Sequence, residues 1–249
     1  MRLLCHVLAC LLLATTARAE APARTPILTY HRFHPTIAGA ATVVTTPLFI
    51  RQMEVIAALG RPVIPLRTLL GGAAVPKGAV VITDDDGFRS AYTEMFPVLR
   101  RFGFHATLFI NPPAIGGGAY LTWPQLAEMQ ASGLVDIQPH TLTHPNFRAE
   151  QARRTPADFT AFVARELGGS RAMLQSRLGV AADILAWPYG IHDPTLEEAA
   201  RAAGYVAAVA LGGRAAVADS PAFALPRYQV YETDEPARFR LILDGVARR

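Results

Sequence analysis

The sequence predicts a single α/β domain built on a parallel sheet, and three observations predict it. Short apolar segments rich in Val, Ile and Leu alternate with amphipathic, helix-like segments over the whole length, the pattern of strands joined by helical crossovers. The unusual polar groups, Asp85/Asp86, His140/His144 and Tyr189, fall just past the C-terminal ends of strand-like runs. In barrels and open α/β sheets that edge binds ligands. Finally, the 249 residues less a 19-residue leader leave 230, an ordinary size for one α/β barrel.

The leader is residues 1–19: Arg2 gives a basic start, Leu3 to Thr15 are mostly apolar, and Ala17-Arg18-Ala19 fits small-x-small cleavage. The run is shorter than the ~20 residues that span a bilayer. The expectation is a secreted or periplasmic chain with no membrane span after cleavage; the alternative is an uncleaved anchor. Cys5 and Cys10 both lie in the leader, so the remaining chain has no thiol. That excludes disulfides, cysteine nucleophiles and thiolate metal sites, and leaves histidine and carboxylate as metal ligands. Removing Arg2 and Arg18 leaves 22 basic residues of 24 against 20 acidic, a net charge of +2. No basic run interleaves with aromatics, so no nucleic-acid partner is expected.

Residues 20–26 read as a linker and 27–249 as the barrel domain. Ile27 to His31 is a first strand ending in a histidine, which is either a hydrogen-bonded structural residue or part of the site rim. Residues 35–44 read as a loop. Thr46-Pro47 starts a helix as cap and first helical residue, Phe49, Met53 and Ile56 give its apolar face, and Gly60 stops it. Val63 to Leu66 reads as a short strand. Val80 to Thr83 is a buried strand, and Tyr92, Met95, Phe96 and Leu99 form a helical face that Pro97 should kink unless a new first turn begins there. Ala106 to Ile110 is a strand, and Thr122 caps a helix over 123–131. Leu134 to Gln138 is a strand leading into His140. A helical stretch over 159–178 carries an expected break at Gly168-Gly169. Strands at 184–187, 205–211 and 223–231, a helix at 196–203 and a last helix from Asp234 complete the pattern.

Two stretches carry chemistry. Val80-Val81-Ile82-Thr83 runs into Asp84-Asp85-Asp86-Gly87. Three adjacent carboxylates on an apolar strand are costly unless a cation, a proton or hydrogen bonds offset the desolvation. His140 and His144 are four apart, a spacing that on a helical turn points both imidazoles one way. Two histidines and one aspartate make an open three-ligand site suited to Zn²⁺ or a similar divalent ion. A second carboxylate beside it can take a proton from water.

These stretches resemble the polysaccharide deacetylases of carbohydrate esterase family 4, the NodB-homology domain. Thr83-Asp84-Asp85-Asp86-Gly87 is similar to its Thr-Phe-Asp-Asp-Gly motif, and His140-Thr141-Leu142-Thr143-His144 to its paired-histidine motif. Ala186-Trp187-Pro188-Tyr189-Gly190 matches part of its third motif. Tyr30-His31-Arg32 and the Trp-Pro-Tyr-Gly form are closest to the branch acting on poly-N-acetylglucosamine. The resemblance, over roughly residues 27–230, implies a distorted (β/α)₇ barrel and removal of N-acetyl groups from an acetylated polysaccharide. It implies a divalent metal, Zn²⁺ first, on Asp86, His140 and His144, with Asp85 as base and the Tyr189 backbone N–H facing the oxyanion.

Three departures stand out. Asp84 replaces an apolar or aromatic residue and is expected to be exposed or hydrogen-bonded elsewhere. The arginine that orients the base in many members is absent, with Ala186-Trp187 in its place. The late Leu-x-His that supplies the acid is also absent, with Leu225-Pro226-Arg227 in that region. His31 and His192 are the candidate proton donors, the alternative for His192 being a plain loop histidine. Other readings are an O-acetyl carbohydrate esterase and a carbohydrate-binding barrel with weakened turnover.

Overall fold

The computed structural model describes residues 24–37, 42–71 and 74–248, so the leader and its cysteines lie outside the described residues. In chain order the first elements are β1 (Ile27–Tyr30), β2 (Arg32–His34), β3 (Val43–Thr45), α1 (Thr46–Ala58), β4 (Val81–Asp86), α2 (Phe96–Phe102), β5 (Ala106–Ile110) and α3 (Trp123–Ala131). They are followed by β6 (Val135–Pro139), α4 (Phe147–Ala152), α5 (Pro156–Leu178), β7 (Ile184–Ala186), α6 (Pro194–Ala202), β8 (Ala207–Leu211), β9 (Leu225–Gln229) and α7 (Pro236–Leu243). Among the described residues no helix is long and apolar enough to cross a membrane.

Seven strands form one sheet in the order β6-β5-β4-β1-β9-β8-β7, every pairing parallel. Parallel strands are buried on both faces, which is why they read as near-continuous apolar runs. Ile27, Val81, Phe109, Ile184, Ala207 and Val209 point to one cluster, inside the curled sheet. Their neighbours Leu28, Ile82, Leu108 and Ile137 point outward, under Leu48, Met53, Leu99 and Leu126 of the helices. The edge strands β6 and β7 share no ladder, and side chains bridge the seam. Gln138 Oε1 accepts the backbone N–H groups of Asp183 and Ile184 at 3.0 and 2.9 Å. The result is a parallel sheet nearly closed into a distorted (β/α)₇ barrel, as expected.

Several local expectations are corrected. The cap of α1 is Thr45, whose Oγ1 accepts from Leu48 N–H, and Thr46 is already helical. Residues 43 and 44, expected in a loop, belong to β3, which pairs with β2. Val63 makes only an isolated bridge to Val80, and Leu66–Leu69 is a 3₁₀ turn; Pro65, with no N–H to donate, prevents a longer ladder there. Ahead of Pro97 the helix widens into a π turn over Ala91–Met95. Pro97 supplies no N–H for the carbonyl one turn back, and the wider turn absorbs the defect. Helix α5 runs unbroken through Gly168-Gly169. A Cβ on Gly169 would lie 3.2 Å from Leu142 Cδ2, so this glycine serves close packing. The last helix begins at Pro236, two residues later than expected, and leaves Leu241 and Val246 exposed. In the expected linker, Thr25 is buried and bridges Ala216.

Candidate active site

β4 delivers the carboxylates. Alternation along the strand sends Thr83 and Asp85 into the barrel, and Asp86 ends it with φ 75°. Gly87 follows, also at φ 75°, where a Cβ would stand 2.9 Å from Ile110 Cγ2. A glycine is therefore required at the turn that presents Asp86.

The histidines arrive on the loop after β6. This loop is not helical: Thr141 and His144 both have positive φ, 63° and 56°. Non-glycine residues held there cost about 1–3 kcal/mol each and persist only where the surroundings over-determine them. Here α5 does so. Both carboxylate oxygens of buried Glu166 accept from Thr143, its N–H at 2.7 Å and its Oγ1 at 2.8 Å, while Gly169 admits Leu142. Glu166→Ala is expected to weaken divalent-metal retention about 10–100-fold, by analogy with groups that orient ligands. Competition titration against a chelator checks this, with circular dichroism confirming the fold.

His140 Nε2 lies 3.7 Å from Asp86 Oδ1 and His144 Nε2 lies 3.6 Å from the same oxygen. One donor atom from each of the three falls within 4.8 Å of the others, and among the described residues no second such trio occurs. His140 Nδ1 is 2.8 Å from the Ala186 carbonyl. A carbonyl only accepts, so Nδ1 carries the proton and Nε2 presents its lone pair toward Asp86. Burial pushes the His140 imidazole down to about 3 and lowers that of His144 as well. Neutral imidazoles with a carboxylate are the states a metal needs.

Asp85 is paired. Arg227 on β9 donates from Nη1 to Oδ1 and from Nη2 to Oδ2, both at 2.7 Å, with both residues almost fully buried. Nη1 also donates to Thr83 Oγ1 at 3.1 Å. Burial alone would raise the Asp85 carboxyl; the Arg227 charge and fork, with His140, instead hold it below the usual carboxylate range. An arginine expected to be absent is thus present on another strand. Its signal was available: an arginine inside an apolar strand must find a carboxylate.

Asp84 is neither exposed nor hydrogen-bonded. Both its oxygens are buried without a partner, on the face of β4 opposite Asp85. Burial, then the charges of Asp85 and Asp86, raises its carboxyl well above the usual range. A raised folded-state value makes wild-type stability fall as pH rises above the unfolded value near ~3.9. Asp84→Leu is expected to gain about 1–3 kcal/mol at neutral pH, and less near pH 4. Denaturant unfolding at both pH values measures it; an equal gain at both would reject charge burial as the cause.

A cleft of about 300 Å³ opens on these groups, lined also by His31, Trp187, Tyr189 and Gln229. His31 Nδ1 is buried without a partner. His192 is not among the lining residues; its Nδ1 is 2.9 Å from Glu197 Oε1 on α6. Tyr189 is 59% exposed with φ 58°, its ring 4.7 Å from that of His144. Gly190 behind it could not carry a side chain, since a Cβ would sit 2.8 Å from Leu211 N.

Fold and site together define an α/β-barrel enzyme with its reactive groups gathered at the strand C-terminal edge. The sequence model for polysaccharide deacetylases matches residues 72–208, more than half the chain, and the chain belongs to that family. YxkH of Bacillus subtilis (strain 168), whose polysaccharide deacetylase name is itself provisional, is 28% identical over 217 residues, 86% of this chain and 74% of that protein. The poly-beta-1,6-N-acetyl-D-glucosamine N-deacetylase of Escherichia coli (strain K12) is 26% identical over 169 residues, 54% of this chain; the match spans a quarter of that enzyme, 25%. The structure of IcaB from Ammonifex degensii superposes with a TM-score of 0.75 at 26% identity, covering 89% of this chain and 97% of that one.

Proposed function

We propose that this chain is an exported, metal-dependent N-deacetylase of N-acetylglucosamine-containing polysaccharide. The observation that carries the reading is Asp85, gripped through both oxygens by Arg227, beside the trio of Asp86, His140 and His144. The donor set fits a divalent cation, Zn²⁺ first: one carboxylate, two neutral imidazoles, and a tautomer fixed by the Ala186 carbonyl. Such an ion, when bound, makes water more acidic and polarises the acetamide carbonyl. Export rests on the leader. The E. coli relative's name supports the β-1,6-linked polymer as the first substrate to try.

Asp85 takes a proton from the attacking water, with Arg227 fixing its plane. The Tyr189 backbone N–H faces the oxygen that gains charge. A C–O bond forms, the C–N bond breaks, acetate leaves, and the sugar amine takes up a proton. His31 is the donor this reading assigns, because it lines the cleft whereas the His192 ring is engaged by Glu197. An amine needs that proton more than an alkoxide does. His31→Gln should therefore slow N-acetyl hydrolysis by about 10²-fold and O-acetyl hydrolysis much less. Equal losses on both would remove His31 from this role.

The reading is tested by acetate release from β-1,6-linked N-acetylglucosamine oligomers, peptidoglycan and O-acetylated xylan, with and without chelator. Chelator-sensitive release from the oligomers is expected. Release from xylan alone would make the protein an O-acetyl esterase, and binding without release a carbohydrate-binding barrel.

A further inference from the structure

A second cavity adjoins the cleft. It measures about 470 Å³, and Leu211, Arg227 and Gln229 line both. Its remaining walls are Gly212-Gly213, Tyr231, Arg238 and Arg248. At that size it holds a sugar ring with a substituent, within the range of small-ligand pockets.

Its charge is unbalanced. No acidic side chain lines it. Arg227 is committed to Asp85. Arg238 and Arg248 share a single carboxylate, the fully buried Asp234: Arg238 Nε lies 3.2 Å from Oδ1, and Arg248 Nη2 bonds Oδ2. Two guanidinium groups on one carboxylate leave one positive charge uncompensated among the described residues. The Arg238 side chain is 61% exposed, and its two Nη groups have no carboxylate partner there. Arg248 is stacked on the Tyr231 ring at 4.8 Å, which limits its freedom to turn away. Arg32, next in the chain to the cleft residue His31, lies 3.7 Å over the Phe88 ring, and among the described residues no carboxylate is within ion-pair distance of it.

We propose that the second cavity is a substrate subsite for an anionic group, carboxylate or phosphate, borne by the sugar next to the one deacetylated. The proposal rests on the reading of the cleft as an N-deacetylase centre. A guanidinium fork binds two oxygens of either anion in a bidentate pair. A neutral sugar gains nothing from the surplus charge, and an ammonium-bearing glucosamine is repelled.

The test uses three N-acetylglucosamine oligomers of equal length: unmodified, carrying carboxylate ethers, and carrying phosphate esters. Acetate release by the metal-loaded wild type is expected to favour at least one anionic oligomer about tenfold in kcat/KM, through KM, at low salt. Whichever oligomer gains identifies the anion. Arg238→Gln, at an exposed position, should remove that preference and leave the unmodified oligomer unaffected. Equal kcat/KM on all three, or a preference that survives Arg238→Gln, would overturn the subsite. Calorimetric titration of the same oligomers into the same two proteins reads the subsite without turnover. Absence of acetate from every oligomer would then sink the deacetylase reading alone.

Discussion

Asp85→Asn should lower acetate release by about 10²–10⁴-fold, the usual share of a positioned base, while the protein still takes up its divalent ion. Asparagine keeps the shape of the side chain and the oxygen that accepts from Arg227 Nη1 at 2.7 Å, and removes the capacity to take a proton. The trio of Asp86, His140 and His144 is untouched, so metal content is the internal control. Steady-state kinetics with metal analysis on one preparation checks both halves. Undiminished turnover would remove Asp85 from the role of base, and lost metal would show it to be a ligand instead.

Arg227→Met should cost about 3–5 kcal/mol of stability and most of the activity. The methionine fills the stem volume but leaves the Asp85 carboxylate buried with nothing to offset its desolvation. Burial then sets the Asp85 carboxyl, which climbs from below the usual range to above it. A base with a higher value is lost at higher pH, so the acid limb of the pH–rate profile should move upward. The wild-type pair stabilises the fold above the unfolded aspartate value near ~3.9 and fades as pH falls through the lower folded one, so the stability gap should narrow in acid. The double variant Asp85→Asn with Arg227→Met should be more stable than Arg227→Met alone, because no charge is then left unpaired. Chemical denaturation of all four proteins reads the cycle, and strict additivity would contradict a desolvated ion pair.

Much of the barrel is legible in sequence because a parallel strand buried on both faces has to be apolar throughout. Ala106–Ile110 shows this, appearing where it was expected; Val135–Pro139, an edge strand that carries Asp136 and Gln138, still lies within a residue of its expected place. Thr122 caps α3 as expected: its hydroxyl accepts the Gln125 N–H, and the Gln125 side chain accepts the Thr122 N–H in return. The errors share a cause. A glycine pair looks like a break when the tight contact it serves, Gly169 against Leu142, lies 27 residues away in the chain. The spacing of His140 and His144 suggests a helical turn, whereas a loop of left-handed residues pinned by Glu166 brings the rings together.

The sequence by itself determined the alternation of strands and helices, the edge at which the reactive groups gather, and the identity of the candidate ligands. Each of these depends on residue type and on spacing along a single element. Only the tertiary structure decided which arginine faces Asp85, that Asp84 lies buried without a partner, and that His31 lines the cleft while His192 turns to Glu197. Those choices depend on register between strands far apart in the chain. Arg227 reaches Asp85 because β9 and β4 flank β1, whose Thr29, in register with Gln229 on one side and Thr83 on the other, puts only a small side chain between them.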